Sequence, residues 1–245
     1  MVSVTLVTGA AGGLGTAVVD RFAQRGDTIV AVDRDAELLQ AVVDTSRARG
    51  ADVHAFAADL TDAAAIGDLA ARVHERVGRV TTLLNLAGYL HRGRVADTDL
   101  DQWSRSLDVN VTAPFLLTKA FRDDLREATR GRIVNCSSIS ASVGYPLPAY
   151  AASKAALSSL TRSSLFDFWG TSVTVNAVAP GAMRTPMVDI ANEASMVAKT
   201  PGGRIVTPQE VAATIAFLAS DDAQGINGVT VTIDGGATAV FSYLA

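Results

Sequence analysis

The chain begins with an apolar run that meets a cluster of glycines, VSVTLVTGAAGGLG. Apolar residues then recur at helical spacing, at Leu14, Val18, Val19 and Phe22. This pattern predicts a strand, a tight turn and a helix. Glycines permit a sharp turn and a close backbone approach, and the amides at a helix N-terminus attract a pyrophosphate. We therefore interpret Gly9 as the residue that makes the turn, and Gly13 and Gly15 as residues that leave room for a dinucleotide.

The second apolar run, TIVAVDR, ends in an acid. Asp33 follows Gly15 by 18 residues, about the interval at which a carboxylate contacts the adenosine ribose in dinucleotide-binding folds. A carboxylate accepts hydrogen bonds from ribose hydroxyls, but it repels a 2′-phosphate by about 1 kcal/mol in water and about 4 kcal/mol at an effective dielectric near 20. We therefore expect NAD rather than NADP as the cofactor. Arg34 could reach a 2′-phosphate and is the argument for NADP.

Short apolar runs alternate with helical patterns along the whole chain. The runs lie at about 2–8, 28–33, 53–57, 81–86, 131–137, 172–178 and 229–233. Helical spacing is clearest at Ile66, Leu69, Val73 and Val77, and at Val211, Ile215, Phe217 and Leu218. Such alternation predicts a parallel sheet with helices on both faces. Because the sequence contains no evident linker or repeat, we expect residues 1–245 to form a single doubly wound α/β domain of the Rossmann type with a seven-stranded parallel sheet.

Composition argues against several classes of protein. The 245 residues are 49% hydrophobic and 19% charged, with a net charge of −4. No apolar stretch approaches the ~20 residues of a membrane span, and the first strand starts almost at Met1, so we expect a cytoplasmic protein. An acidic chain without a basic cluster is not expected to bind nucleic acid. The single cysteine, Cys136, lies in an apolar run and is interpreted as a buried side chain, and no metal site is expected.

A tyrosine and a lysine stand four residues apart in AYAASKAAL. On a helix, Tyr150 and Lys154 would share one face, with the ammonium beside the phenol. A free phenol titrates near 10, and a nearby positive charge lowers its pKa, so this pair could exchange a proton with an alcohol or ketone near neutral pH. Taken alone, such a pair is more often an exposed helical pair with no role.

Together these motifs resemble those of the short-chain dehydrogenase/reductase family, over residues 4–237. TGAAGGLG resembles the cofactor turn, DLTD at 59–62 the segment that contacts adenine, and NLAG at 85–88 a turn that lines the cofactor cleft. PGAMRTPM at 180–187 resembles the segment that binds the nicotinamide carboxamide. The cofactor-binding residues that the resemblance implies are Gly9, Gly13, Leu14, Gly15, Asp33, Arg34, Asp59, Leu60, Asn85, Ala87, Gly88, Tyr150, Lys154, Pro180, Gly181, Met183 and Thr185.

The resemblance also implies a catalytic set of Asn110, Ser138, Tyr150 and Lys154. Tyr150 would exchange a proton with the substrate oxygen, and Ser138 would hydrogen-bond the same oxygen while a hydride moves to or from the nicotinamide. Lys154, with the nicotinamide ring, would lower the pKa of the tyrosine and bind the ribose hydroxyls, and Asn110 would hold a water that links Lys154 to solvent. Ser138 precedes Tyr150 by 12 residues where 13 is frequent in the family. Ser137 would restore that spacing, so both serines are candidates, although the preceding strand favours Ser138.

Two further departures from the family pattern are Leu86, in place of the second asparagine of the turn, and Asn227, where threonine is common. Leu86 puts one structural hydrogen bond in doubt, and Asn227 is expected to have little effect.

By the same resemblance, a segment of about 183–205 covers the substrate, next to the loop 140–148. Ser140, Tyr145 and Met187 are the expected pocket residues. The two segments are mostly apolar, with adaptable methionines, which favours a compact secondary alcohol or ketone. His91, Arg92 and Arg184 could recognise a carboxylate at the rim, or could simply be solvated.

We therefore expect an NAD-dependent oxidoreductase acting on a small secondary alcohol or ketone. One alternative is an NADPH-dependent ketone or 3-oxoacyl reductase, against which Asp33 argues. The other is a non-catalytic dinucleotide sensor, against which the intact catalytic set argues. The resemblance further implies a homotetramer or dimer, with the helices containing residues 101–127 and 149–168 packed across a twofold and the C-terminal strand at a second contact.

Overall fold

The computed structural model describes residues 3–185 and 193–240, in which seven strands form one parallel sheet of order β3-β2-β1-β4-β5-β6-β7. The strands are β1 Val4–Thr8, β2 Thr28–Asp33, β3 Val53–Ala57, β4 Thr82–Asn85, β5 Arg132–Cys136, β6 Thr174–Pro180 and β7 Thr230–Ile233. The order reverses between β1 and β4. In such sheets the crevice outside the carboxyl ends of the strands at this reversal is where ligands bind. The predicted fold class is confirmed.

The helices of the described residues cover both faces of this sheet. They are α1 Gly13–Ala23, α2 Ala36–Arg47, α3 Ala63–Arg76, α4 Leu100–Leu107, α5 Ala113–Ala120, α6 Arg122–Glu127, α7 Pro148–Ser163, α8 Glu193–Ala198 and α9 Pro208–Leu218. A π-helical turn at Asp108–Thr112 joins α4 to α5, and a 3-10 turn at Ile139–Ala141 follows β5. Within the described residues, no helix is both long and apolar enough to cross a membrane.

The sheet buries apolar side chains on both faces, because successive residues of a strand point in opposite directions. Val7 packs with one buried cluster, which includes Val18 of α1 and Ile215 of α9, while its neighbour Leu6 packs with the other, which includes Leu69 of α3. These clusters explain why the strands read as nearly continuous apolar runs. The expected burial of Cys136 agrees with the structure, which leaves 8% of that residue exposed.

The structure differs from the sequence-based expectation at three places. β6 runs to Pro180 rather than ending near residue 178, and Pro180 pairs with Ile233 as the last residue of the strand. Phe217 is 46% exposed, because it lies off the helix face that Val211 and Ile215 bury. Val77 follows α3 as its C-terminal cap instead of belonging to the helix.

Candidate active site

The glycine turn after β1 depends on the absence of side chains at two positions. Gly9 has φ of +67°, and a Cβ there would lie 2.9 Å from the backbone of Ala87. A Cβ on Gly15 would lie only 2.0 Å from the carbonyl oxygen of Gly9. Gly15 therefore lets α1 pack against its own turn, and this close packing by itself already requires glycine there. Gly13 is the exposed first residue of α1.

The N-terminus of α1 has the properties of an anion site. Its N-cap is Gly12, and within the described residues no side chain caps this helix end. The first amides and the positive end of the helix dipole are then available to a phosphate. Leu14, in the first turn, packs its side chain into the core. The turn and helix start therefore fit the pyrophosphate of a dinucleotide.

Asp33, at the carboxyl end of β2, is joined directly to this turn. Its Oδ2 accepts a hydrogen bond from the amide of Ala11 at 3.0 Å, and its Oδ1 accepts one from the amide of Asp35 at 3.2 Å. The carboxylate is partly buried, whereas the side chain of Arg34 beside it is exposed. The geometry fixes a negative charge beside the glycine turn.

Asp59 and Leu60 follow β3 at the same edge of the sheet. Hydrogen bonds from the amide and hydroxyl of Thr61, at 3.0 and 2.8 Å, hold the pKa of Asp59 below its usual range, against the opposing effect of burial. Leu60 is 8% exposed. One carboxylate oxygen of Asp59 thus shapes its own turn.

The turn after β4 is held by the neighbouring strands. The hydroxyl of Thr8 accepts hydrogen bonds from the amides of Leu86 and Ala87 at 3.0 and 3.1 Å, and Asn85 Nδ2 donates to Asn135 Oδ1 at 2.8 Å. The Leu86 side chain packs against the core. The backbone of residue 86 is therefore anchored without a second asparagine side chain.

α7 brings Tyr150 and Lys154 together, as their spacing predicts. Lys154 Nζ lies 5.7 Å from the centroid of the Tyr150 ring and donates to the carbonyl oxygen of Cys136 at 2.7 Å. The Ser138 side chain lies near the Tyr150 phenol and acts to lower its pKa. All three polar groups therefore meet where β5 ends and α7 begins.

The two candidate serines point to different places. Ser137 Oγ donates to the carbonyl oxygen of Lys154 at 3.0 Å and lies 2.7 Å from Ser158 Oγ, so it packs into the contact between β5 and α7. Ser138 faces the phenol instead. The geometry favours Ser138 as the serine that could share a substrate oxygen with Tyr150.

Burial dominates the electrostatics of the pair. It raises the pKa of Tyr150 well above the ordinary value for a phenol, and the nearby Ser138 side chain offsets only part of this effect. Burial also lowers the pKa of Lys154. Both effects arise because a charged form loses its hydration inside the protein. The expectation that a lysine neighbour brings the phenol toward neutral pH is therefore not met by the protein groups alone.

Asn110 lies in the π-helical turn and is completely buried. Its Oδ1 accepts the amide of Tyr89 at 2.8 Å, and its Nδ2 donates to the carbonyl oxygen of Tyr89 and to Ser153 Oγ, both at 2.9 Å. A Cβ on Gly88 would lie 3.6 Å from both Asn110 Oδ1 and Lys154 Nζ, so Asn110 stands close to the Tyr150 and Lys154 pair. Tyr89 and Ser153 were not identified from the sequence. Tyr89 acts through its backbone, which any residue has, and serines are common in helices, so neither residue forms a recognisable sequence motif.

The substrate side is only partly described. Ser140 is 4% exposed, its amide donates to Ser138 Oγ at 3.2 Å, and its hydroxyl has no partner among the described residues. Tyr145 is 43% exposed, and Met187 lies outside the described residues. Ser140 is thus the expected pocket residue that adjoins Ser138 directly.

The segment after β6 leaves the same edge of the sheet. Gly181 donates to Ile233 at 2.9 Å, and a Cβ on Gly181 would lie 2.8 Å from the Cβ of Asp234. Met183 forms a single bridge to Val206, and the amide of Thr185 donates to the carbonyl of Met183 at 2.8 Å.

Two of the residues predicted at the rim of the substrate pocket, Arg184 and His91, contact neighbouring residues. Arg184 pairs with Glu193, so its charge is already matched. His91 is half-buried, and Gly93 packs against its imidazole. Within residues 3–185 and 193–240, no group of three or more His, Cys, Asp or Glu side chains is placed to hold a metal ion.

Comparisons with known proteins agree with this arrangement. A family model described as enoyl-(acyl carrier protein) reductase matches residues 9–238. A 2,5-dichloro-2,5-cyclohexadiene-1,4-diol dehydrogenase of Sphingobium indicum is 36% identical over 242 residues, which is 95% of each chain. A candidate short-chain dehydrogenase/reductase of Burkholderia xenovorans superposes with a TM-score of 0.93 at 34% identity, over 98% of each chain. An actinorhodin polyketide ketoreductase solved with NADPH gives a TM-score of 0.91 at 30% identity, covering 96% of this chain and 97% of the other.

The fold and these matches define an oxidoreductase of the nicotinamide-dependent class. The chain belongs to the short-chain dehydrogenase/reductase family.

Proposed function

We propose that the protein is an NAD-dependent dehydrogenase that oxidises a small secondary alcohol, or reduces the matching ketone, with Tyr150 as the general acid/base. The observation that carries the proposal is the meeting of Ser138, Tyr150 and Lys154 at the end of β5. The proposal includes a single cytoplasmic nucleotide-binding domain that acts on small molecules, with the segment of about 183–205 covering the substrate.

In the oxidation, the phenolate of Tyr150 takes the hydroxyl proton, and Ser138 donates a hydrogen bond to the same oxygen as it becomes a carbonyl. Lys154 stabilises the phenolate with its positive charge and binds ribose hydroxyls, while Asn110 holds a water that carries the proton onward. The remaining lone pair on Asn110 Oδ1 is available for that water, since three other bonding positions are taken. A bound nicotinamide would provide the hydride acceptor or donor, and its oxidised form would add positive charge near the phenol.

NAD is favoured by the charge at Asp33, which the amides of Ala11 and Asp35 hold beside the glycine turn. The turn itself contains no basic residue to attract a 2′-phosphate. The adenine and phosphates would lie along the residues after β1, β2 and β3, and the nicotinamide end would lie against Asn85, Ala87, Gly88 and the residues 180–185.

A second candidate is an NADPH-dependent ketone or 3-oxoacyl reductase with the same chemistry. The exposed Arg34 supports it, because a guanidinium beside Asp33 could pair with a 2′-phosphate. The ketoreductase solved with NADPH, at 30% identity, gives it a structural parallel.

We also propose that the enzyme is a homo-oligomer, either a dimer or a tetramer. At the end of α7 the rings of Phe166 and Trp169 stack with centroids 6.2 Å apart, and the two residues are 77% and 78% exposed. Apolar rings so exposed support a surface that a second copy covers. Light scattering behind a sizing column measures the mass, and a monomer at micromolar concentration would contradict this part of the proposal.

The test is absorbance at 340 nm with NAD⁺ or NADP⁺ across cyclic, aromatic and hydroxy-acid secondary alcohols, with Tyr150→Phe alongside. We expect NADH formation by the wild type and none by the variant, while both bind NADH and melt at similar temperatures. Activity with NADP⁺ alone would favour the second candidate. Tight NADH binding without turnover on any alcohol would favour the non-catalytic sensor, and absence of dinucleotide binding would refute the proposal.

A further inference from the structure

Ser153 lies between Tyr150 and Lys154 on α7 and is completely buried. Its hydroxyl donates to the carbonyl oxygen of Tyr150 at 2.8 Å and accepts from Asn110 Nδ2 at 2.9 Å. A bond from a helical serine to the preceding turn is common and by itself has no functional meaning. The second bond is different, because it joins α7 to the π-helical turn that carries Asn110.

This bond completes the set of contacts that hold the Asn110 carboxamide. One Nδ2 hydrogen goes to Ser153, the other goes to the carbonyl oxygen of Tyr89 at 2.9 Å, and Oδ1 receives the amide of Tyr89 at 2.8 Å. An amide NH₂ can only donate and the amide oxygen can only accept, so the oxygen must face the Tyr89 amide. Without the Ser153 hydroxyl, one buried N–H would lose its acceptor, and the carboxamide would lose the contact that fixes it from the side of α7.

The backbone that Asn110 holds adjoins the ammonium of Lys154. The Cβ position of Gly88 is 3.6 Å from Asn110 Oδ1 and 3.6 Å from Lys154 Nζ. Gly88 therefore adjoins both the Asn110 carboxamide and the charged end of Lys154, and Tyr89, which Asn110 holds, follows it in the chain. A shift of the carboxamide would move this backbone against the ammonium.

We propose that Ser153 is a positioning residue for the acid/base pair. It fixes the Asn110 carboxamide, which fixes the backbone at Gly88 and Tyr89 beside Lys154 Nζ. It acts through Asn110 and touches neither the substrate nor the reacting atoms. The inference rests on the proposed function, because the chemistry of Tyr150 and Lys154 is what these contacts would serve.

The first measurement requires no enzymatic activity. Hydrogen exchange at the Tyr89 amide reports directly on the bond to Asn110 Oδ1. In Ser153→Ala we expect that exchange to be at least about tenfold faster than in the wild type, because the carboxamide is no longer fixed. Ser164→Ala is the matched control. Ser164 is also buried and donates to the carbonyl oxygen of Leu160 at 2.8 Å, so its loss removes a comparable hydroxyl and should leave Tyr89 protected.

The second measurement is the pH profile of alcohol oxidation. Ser153→Ala is expected to lower kcat about tenfold at pH 7, with the KM for the dinucleotide changed by less than about twofold. The acid limb of the profile should move to higher pH, because a displaced ammonium stabilises the phenolate less. Ser153→Thr keeps the hydroxyl and should keep the wild-type position of that limb, even if the added methyl lowers thermal stability.

Each outcome bears on the proposal. Unchanged hydrogen exchange at the Tyr89 amide in Ser153→Ala would overturn the claim that Ser153 fixes the Asn110 carboxamide. Faster exchange in an active enzyme whose kcat and acid limb are unaltered would overturn the role in acid/base chemistry. If the wild type oxidises no alcohol, the proposed function fails by itself, and the exchange at Tyr89 then decides separately whether Ser153 fixes Asn110.

Discussion

Replacing Asp33 by asparagine tests the physical basis of cofactor choice. The substitution keeps the shape of the side chain and removes its charge. The carboxylate accepts the Ala11 amide through Oδ2 and the Asp35 amide through Oδ1, and asparagine can keep only one of these bonds because its NH₂ group cannot accept. Asp33→Asn should therefore weaken the use of both dinucleotides slightly while it removes the repulsion of a 2′-phosphate.

The magnitude follows from Coulomb's law. A carboxylate about 4 Å from one unit of phosphate charge is repelled by about 1 kcal/mol in water and about 4 kcal/mol at an effective dielectric of 20. Asp33 is partly buried, so a value between these limits, about 2 kcal/mol, is appropriate. That energy corresponds to about a 30-fold rise in kcat/KM for NADP⁺ relative to NAD⁺. The lost backbone bond costs about 1 kcal/mol with either cofactor and leaves the ratio unchanged.

Initial rates at 340 nm with each dinucleotide give the ratio directly. Asp35→Asn is the matched control, because it removes an equal charge two residues away. Asp35 caps α2 through the amide of Leu38 at 3.0 Å, and asparagine caps a helix about as well. A ratio that moves less than about fivefold in Asp33→Asn, or equally in Asp35→Asn, would refute the assignment of cofactor choice to Asp33.

Three further predictions concern the site and its supports. Ser138→Ala should lower kcat by about 10²-fold or more. Ser137→Ala loses bonds to α7 and should mainly lower the melting temperature. Equal losses of activity in the two variants would contradict the assignment of Ser138 as the catalytic serine. Gly15→Ala should abolish NADH binding measured by fluorescence, because its Cβ would lie 2.0 Å from a carbonyl oxygen. The exposed helical Gly67, with nothing within 4 Å of a new Cβ, should instead gain about 1 kcal/mol of stability as alanine, or about 2–4 °C in calorimetry. Hydrogen bonds from an arginine partner and from the α9 capping box lower the pKa of Glu210 to about 2 from 4.5, so it contributes stability above pH 4.5 that is lost as pH falls toward 2. The melting temperature should change less with pH over that range in Glu210→Gln than in the wild type. Equal slopes of melting temperature against pH would contradict the prediction.

The fold was predictable because its cause is local in the sequence. Buried parallel strands leave apolar runs, and surface helices leave a 3.6-residue period, so both could be read directly. The contact between the glycine turn and Asp33 was also predictable in outline. Both follow adjacent strands, and Thr8 and Val32 are partners in the ladder that joins β1 to β2.

The residues that hold the catalytic side chains and the glycine turn in place were not predictable, because their roles depend on contacts that the sequence does not show. Ser153 is one of several serines in α7, and only the π-helical turn at Asp108–Thr112 brings Asn110 within 2.9 Å of it. The packing role of Gly15 was not predictable for a similar reason. A glycine that leaves room for a ligand and a glycine that contacts its own backbone look the same in a sequence, and the approach of 2.0 Å between a Cβ on Gly15 and the Gly9 carbonyl oxygen is visible only in the structure.

The sign of the pKa shift at Tyr150 shows where spacing stops being informative. Four residues on a helix indicate that an ammonium and a phenol are neighbours, and a neighbouring cation alone lowers the pKa of a phenol. Lys154 is buried and Tyr150 is half-buried, however, and desolvation is the larger effect, so it raises the pKa of Tyr150 and lowers that of Lys154. The proposed oxidation needs the phenolate. It therefore depends on the positive charge of the oxidised nicotinamide in addition to Lys154, and on the side chains that keep Lys154 close to the ring.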